Sequence, residues 1–235
     1  MKLHRTCIPV PKIEDDAYDW YARHKAKLEE VKQKHADIVF IGDSITHFWK
    51  SEEGINYGAD VWDEFYGSRS VLNLGFGFDR TQNMLWRLEE GEMANQSPRV
   101  IVVNAGTNQF SYTPKYSGDT PEEAFEGIKT LVEKLRSLAP GAYMVLMALF
   151  PRLPEEKQQK INVLNLLLKE YVQNASDEKL LFLDLTEKFL LPDGTFNHDL
   201  YQDRRCHPNS AGYRIWANAL EKVLENLGAV PDKGR

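Results

Sequence analysis

The chain has 235 residues, of which 42 % are hydrophobic and 27 % charged, with a net charge of -6. That length suits one domain with its own core. The acidic balance argues against a phosphate-tracking nucleic-acid surface, which needs a basic excess, and favours a neutral or cationic ligand. No stretch approaches the run of about 20 apolar residues that crosses a bilayer.

The opening segment, Met1 to Glu14, has no apolar core and does not read as a signal peptide. A cytoplasmic chain, or one already processed from a secreted form, is expected. Cys7 is one of two cysteines. The other, Cys206, lies far along the chain, so two free thiols are expected, with a bridge between them left open.

Asp15 to His35 is polar, with Tyr18, Tyr21, Ala22, Leu28 and Val31 close to helical spacing. It predicts a helix laying a narrow apolar face on the body, so that residues 1–35 form an arm and helix packed on one domain covering 1–235. Asp37–Gly42 is then a short, almost wholly apolar run of the kind buried in parallel sheets. Ser70–Leu74, Val100–Asn104, Tyr143–Met147 and Leu180–Asp184 read the same way.

Helical patterns separate these runs. Thr81–Glu90 repeats Met84, Leu85 and Leu88. Pro121–Leu138 follows Thr120 as N-cap, with Glu123 completing a capping box and Pro121 at the first helical position. Its apolar face is Ala124, Phe125, Ile128, Leu131, Val132 and Leu135. Glu155–Val172 carries Ile161, Leu164 and Leu168, and Ser210–Leu227 carries Ile215, Trp216, Leu220, Val223 and Leu224. Alternating strands and helices predict an α/β fold, a three-layer α/β/α sandwich on a parallel sheet. Ligands of such sheets bind beyond the carboxyl ends of the strands.

Those ends carry the chemistry. The first strand runs into Gly42-Asp-Ser44-Ile, placing a hydroxyl and a backbone N–H at the sheet edge; Asp43 and Ser44 also suit a plain helix cap. The second runs into Gly75-Phe-Gly77-Phe78-Asp79-Arg80-Thr81, where close glycines expose N–H groups. The missing third glycine makes a nucleotide loop a poor match. The third runs into Gly106-Thr-Asn108, whose amide suits an oxyanion or a turn. The last helix is preceded by His207-Pro208, and proline holds the residue before it in extended geometry. Nucleophile, oxyanion donors and base are what acyl transfer requires.

These four blocks, in this order, resemble the SGNH (GDSL) hydrolase family. The run from Asn73 to Leu88 is similar to esterases of the platelet-activating-factor acetylhydrolase type and to bacterial esterases that deacetylate polysaccharides. The resemblance implies a flavodoxin-like, five-stranded sheet in the order 2-1-3-4-5. It implies Ser44 as nucleophile and oxyanion donor, Asn108 as the oxyanion amide, and His207 as base, with no metal or organic cofactor. Asp79, Thr81 and Arg87 are expected to shape the second block.

Two departures stand out. The oxyanion glycine of the family is replaced by Phe78, so the donor is the Phe78 N–H or that of Gly77. The family's Asp stands three residues before the His, where this chain has Arg204. Asp203, four before, is expected to orient His207 across a bulged loop; Asp199, Asp193 or a backbone carbonyl are the alternatives. Trp49, Tyr66, Phe76, Phe78, Phe110 and Tyr112 near the active edge either stack on sugar rings or fill the core. The function expected first is a carbohydrate O-acetylesterase. A lysophospholipase or acetylhydrolase of phospholipid-like esters comes second, and a saccharide-binding pseudoenzyme third.

Overall fold

A computed structural model describes residues 3–50 and 52–228; Met1 and Lys2, at the start of the predicted arm, lie outside them. Five parallel strands form the central sheet: β1 (Ile38–Gly42), β2 (Val71–Gly75), β3 (Val100–Asn104), β6 (Tyr143–Met147) and β7 (Leu180–Leu183). Their order is β2-β1-β3-β6-β7, the expected 2-1-3-4-5 once the sheet strands alone are counted. A two-stranded ribbon, β4 (Tyr112–Thr113) with β5 (Tyr116–Ser117), interrupts the series and was not anticipated.

Side chains alternate across a strand, and both faces of this sheet are covered. Val39, Ile41, Leu72, Leu74, Ile101 and Val103 join one core cluster with apolar residues of α4 (Thr81–Glu89), α5 (Pro121–Leu138) and α6 (Glu155–Asn174). Ile38, Phe40, Val71, Val100 and Val102 join the other with α3 (Ala59–Tyr66) and α7 (Ser210–Asn226). The capping box of α5 forms as read: the Glu123 N–H donates to Thr120 Oγ1 at 3.2 Å, and the Thr120 N–H to Glu123 Oε2 at 2.8 Å.

The first helix differs from its prediction. α1 spans Trp20–Gln33, opened by Asp19, whose carboxylate accepts from the Ala22 N–H. Its buried face is Trp20, Arg23, His24, Lys27 and Val31, whereas Tyr21 is 53 % exposed. Charged residues take the inner face because carboxylates meet them there. Arg23 pairs with Glu52 and Glu53, Lys27 with Glu52, and His24 with Glu92. No described helix is long and apolar enough to cross a membrane.

Candidate active site

The nucleophile candidate sits where β1 gives way to a one-turn helix, α2 (Ser44–His47). Asp43 caps that helix by accepting the Ile45 N–H at 2.9 Å, so the capping reading and the reactive reading describe the same turn. Two glycines let α2 lie close against the sheet. A Cβ on Gly42 would collide with the Thr46 hydroxyl, and one on Gly75 with the His47 backbone nitrogen. The helix is then pinned from both sides: Asn73 Nδ2 donates to the Thr46 carbonyl, and the Tyr213 hydroxyl to the Ile45 carbonyl, each at 2.8 Å.

The loop before α7 brings the imidazole to this turn. His207 Nε2 lies 2.9 Å from Ser44 Oγ, and His207 Nδ1 lies 2.7 Å from Asp203 Oδ2. The extra residue of the loop is absorbed at Arg204, which adopts φ 57°. The bulge wraps three backbone N–H groups, those of Arg205, Cys206 and His207, around Asp203 Oδ1. Burial works to raise the Asp203 pKa. Hydrogen bonds from His207 and the Cys206 N–H, with the His207 charge, outweigh it and hold the carboxyl well below the usual range. Asp199 and Asp193 are engaged elsewhere, Asp199 with Arg204 at 3.8 Å and Asp193 with Thr195. The rings of Phe48 and Tyr57 pack on the His207 ring at 5.2 and 5.8 Å between centroids.

The two candidate donors of the second block differ. The Gly77 N–H, the alternative to Phe78, donates to His47 Nδ1 at 3.2 Å. Phe78 adopts φ 60°, a region costly for a bulky side chain. Among the described residues its N–H has no partner. Asn108 Nδ2 donates one bond, to the Asp79 carbonyl at 3.1 Å, leaving the second amide hydrogen unused by the protein. His47 is wholly buried; burial lowers its pKa to about 4 against the opposing pull of Glu53. The ring is therefore neutral near pH 7, free to accept from Gly77 at Nδ1 while Nε2 donates to Glu53 at 2.7 Å.

Ser44, Phe78, Asn108 and His207 open onto one cavity of about 340 Å³, together with Asp16, Phe48, Ser111, Tyr112, Thr113, Arg152, Lys157 and Cys206. Among the described residues both cysteines are unbridged, and burial raises the Cys206 thiol to about 11, so it is not a competing thiolate. Of the six aromatic candidates, Trp49, Tyr66, Phe76 and Phe110 are core; Phe78 and Tyr112 reach the cavity. Asp79, Thr81 and Arg87 are buried. Asp79 accepts from Trp20 Nε1 and Arg87 Nε, and the Thr81 hydroxyl donates to the Thr6 carbonyl.

The sequence reading missed Arg152 and Lys157. Arg152 follows β6 at the same sheet edge as the other strand ends, and inspecting that fourth end would have found it. Lys157, in the first turn of α6, gives no such signal. Two groups of metal-type donors exist, His47 with Glu52 and Glu53, and His4 with Asp119 and Glu123. Arg23, Lys27 and Lys50 already neutralise the first, and Arg5 pairs with Asp119 in the second.

Residues 40–215 match the model of the GDSL-like Lipase/Acylhydrolase family. The chain is 32 % identical over 230 residues to the platelet-activating factor acetylhydrolase IB subunit alpha1 of Rattus norvegicus, covering 97 % of this chain and 90 % of that protein. Among solved structures, a GDSL-like lipase from Bacteroides thetaiotaomicron superposes with a TM-score of 0.69 at 19 % identity, over 88 % of this chain and 98 % of that one. An acetylxylan esterase from Geobacillus stearothermophilus gives 0.60 at 22 % identity, over 85 % and 98 %; both likenesses speak for the fold. With the family match spanning most of the chain, this protein belongs to the GDSL-like (SGNH) acylhydrolases and is a carboxylic ester hydrolase.

Proposed function

We propose that the protein hydrolyses short acyl esters, acetyl first among them, through an acyl-enzyme on Ser44, using one domain formed by the whole chain. The observation that carries this is the hydrogen-bonded line from Asp203 through His207 to Ser44 at the wall of a cavity. His207 Nε2 takes the Ser44 proton as Oγ attacks the ester carbonyl. Asp203 holds Nδ1–H and balances the imidazolium. The developing oxyanion is held by the N–H groups of Ser44 and Phe78 and by Asn108 Nδ2. The alcohol leaves with the proton from His207, and water then cleaves the acyl-serine to the free acid.

The alcohol is read first as a saccharide, since Phe78 (39 % exposed) and Tyr112 (67 % exposed) offer ring faces at the cavity. The second reading, a phospholipid-like ester, is favoured by the near-full-length similarity to platelet-activating factor acetylhydrolase subunits. Acetate release from acetylated xylan, compared with release from an acetylated ether phospholipid, separates the two. The esterase reading itself is tested on an aryl acetate. Ser44→Ala is expected to abolish turnover and fluorophosphonate labelling, and wild-type activity in that variant contradicts the reading.

A further inference from the structure

The cavity is electrically lopsided. Arg152 and Lys157 line it, and neither has a carboxylate partner among the described residues. Glu155 and Glu156, in the same turn of α6 as Lys157, pair with neither. Neutral hydroxyls steady the two cations instead: Arg152 Nη1 donates to Thr107 Oγ1 at 2.7 Å, and Lys157 Nζ to Ser111 Oγ at 3.1 Å. Arg152 Nε is buried with no acceptor at all. Two further cations stand by. Lys160 lies 5.3 Å from the centre of the Tyr112 ring, and Arg205 adds to the positive field at Lys157; neither forms an ion pair among the described residues. Elsewhere the cations Arg23, Arg69, Arg87 and Arg214 are all paired with carboxylates.

Burial first, and the Arg152 charge second, lower the Lys157 pKa, which is the cost of gathering cations with no carboxylate in contact; the buried Asp43 feels the Arg152 charge but forms no ion pair with it among the described residues. In a chain of net charge -6 such a cluster runs against the overall field. The carboxylate on the cavity wall, Asp16, belongs to the opposite side. A Cβ on Gly77 would collide with its Oδ2, which places Asp16 against the Gly77–Phe78 turn. Asp43 lies behind Ser44, wholly buried, and is not a wall group.

We propose that the α6 side of the cavity is an anion subsite, where Arg152 and Lys157 hold a carboxylate or phosphate group carried on the alcohol portion of the ester. The guanidinium supplies directional donors for two oxygens and the ammonium a point charge. The proposal rests on the esterase reading, because the acyl group must occupy Ser44 and its oxyanion donors for the alcohol to extend toward α6. It replaces the neutral or cationic ligand expected from net charge, since the field inside a cleft is set by the groups lining it.

The test uses two matched pairs of esters: para-nitrophenyl acetate against its ring-carboxylated analogue, and acetylglycerol against acetylglycerol phosphate. In the wild type, at least one anionic member is expected to show kcat/KM about tenfold or more above its neutral mate, and the pair that responds identifies the anion. In Arg152→Gln and in Lys157→Gln that ratio is expected to fall about tenfold, the scale of one charge-assisted hydrogen bond. Inorganic phosphate or benzoate is expected to compete with the neutral aryl ester in the wild type, a readout needing no variant. Equal hydrolysis within both pairs, with no competition, overturns the subsite and leaves the esterase reading standing. No hydrolysis of any of the four esters rejects the esterase reading and the subsite with it.

Discussion

Ser44, His207 and Asp203 come from opposite ends of the sequence, and their alignment depends on single backbone choices. The Asp203 bulge works because Arg204 turns through the left-handed region, freeing three N–H groups to grip one carboxylate oxygen while the other meets His207. Asp203→Asn is expected to lower kcat by about 10³ to 10⁴, because an amide can leave the imidazole in the wrong tautomer. A loss under tenfold in steady-state kinetics contradicts that role. Asn108→Ala is expected to cost about 10² in kcat with the fold intact, as loss of one oxyanion donor does; circular dichroism checks the fold. At Phe78 the N–H, not the ring, is the proposed oxyanion donor. Phe78→Gly, which keeps the N–H and suits φ 60°, is expected to retain kcat within about tenfold; a loss of about 10² or more contradicts the assignment. Ser44, Asn108 and His207 were legible as residues because each follows a recognisable strand end or precedes a proline. That the Gly77 N–H is occupied was not legible, since His47 is a long-range acceptor that no local pattern announces.

At the scale of elements, strands and amphipathic helices were legible because their periodicity is a local property. The sheet strands lie within a residue or two of the predicted runs, and α5, α6 and α7 follow their apolar stripes. Three pieces escaped. α3 is only two turns long, though its apolar face of Val61, Trp62 and Tyr66 is well marked, and each strand of the β4–β5 ribbon has two residues. α1 was found, but its inner face was misread, because burial there follows charge pairing and not hydrophobicity. That pairing continues inward. Trp20 donates to Asp79, Arg87 pairs with Asp79 and Glu92, and Glu92 meets His24. Removing one member of such a buried set leaves a partner charge uncompensated. Arg87→Met is therefore expected to destabilise the fold by about 3–5 kcal/mol in denaturant unfolding. A change under about 1 kcal/mol contradicts the claim that this network fastens α1 and the second block to the sheet.

For the molecule as a whole, pH acts through the same buried groups. Unfolded, His47 titrates near its ordinary value of 6.5; folded, burial keeps it neutral down to about 4. Between those values only the unfolded chain gains the proton, so this contribution to stability is full above pH 6.5 and is lost as pH falls toward 4. A His47→Gln variant lacks that part of the slope. Unfolding free energies at pH 7 and pH 5 are expected to differ more in the wild type than in the variant, and equal differences contradict the linkage. No local pattern marks His47 as buried, because burial of that kind is decided by the packing of α1, α2 and the loop at Glu53 together.

If an acyl group passes through Ser44, rapid-quench mass spectrometry of the wild type mixed with excess aryl acetate will show a burst approaching one equivalent of released phenol, with the acetyl increment on the peptide that contains residue 44. The increment is expected to vanish in Ser44→Ala and, once an activated ester has acylated a His207→Ala variant, to persist longer there than in the wild type. Turnover at the wild-type rate with no acyl adduct at any time, or an adduct on a different residue, contradicts passage through Ser44.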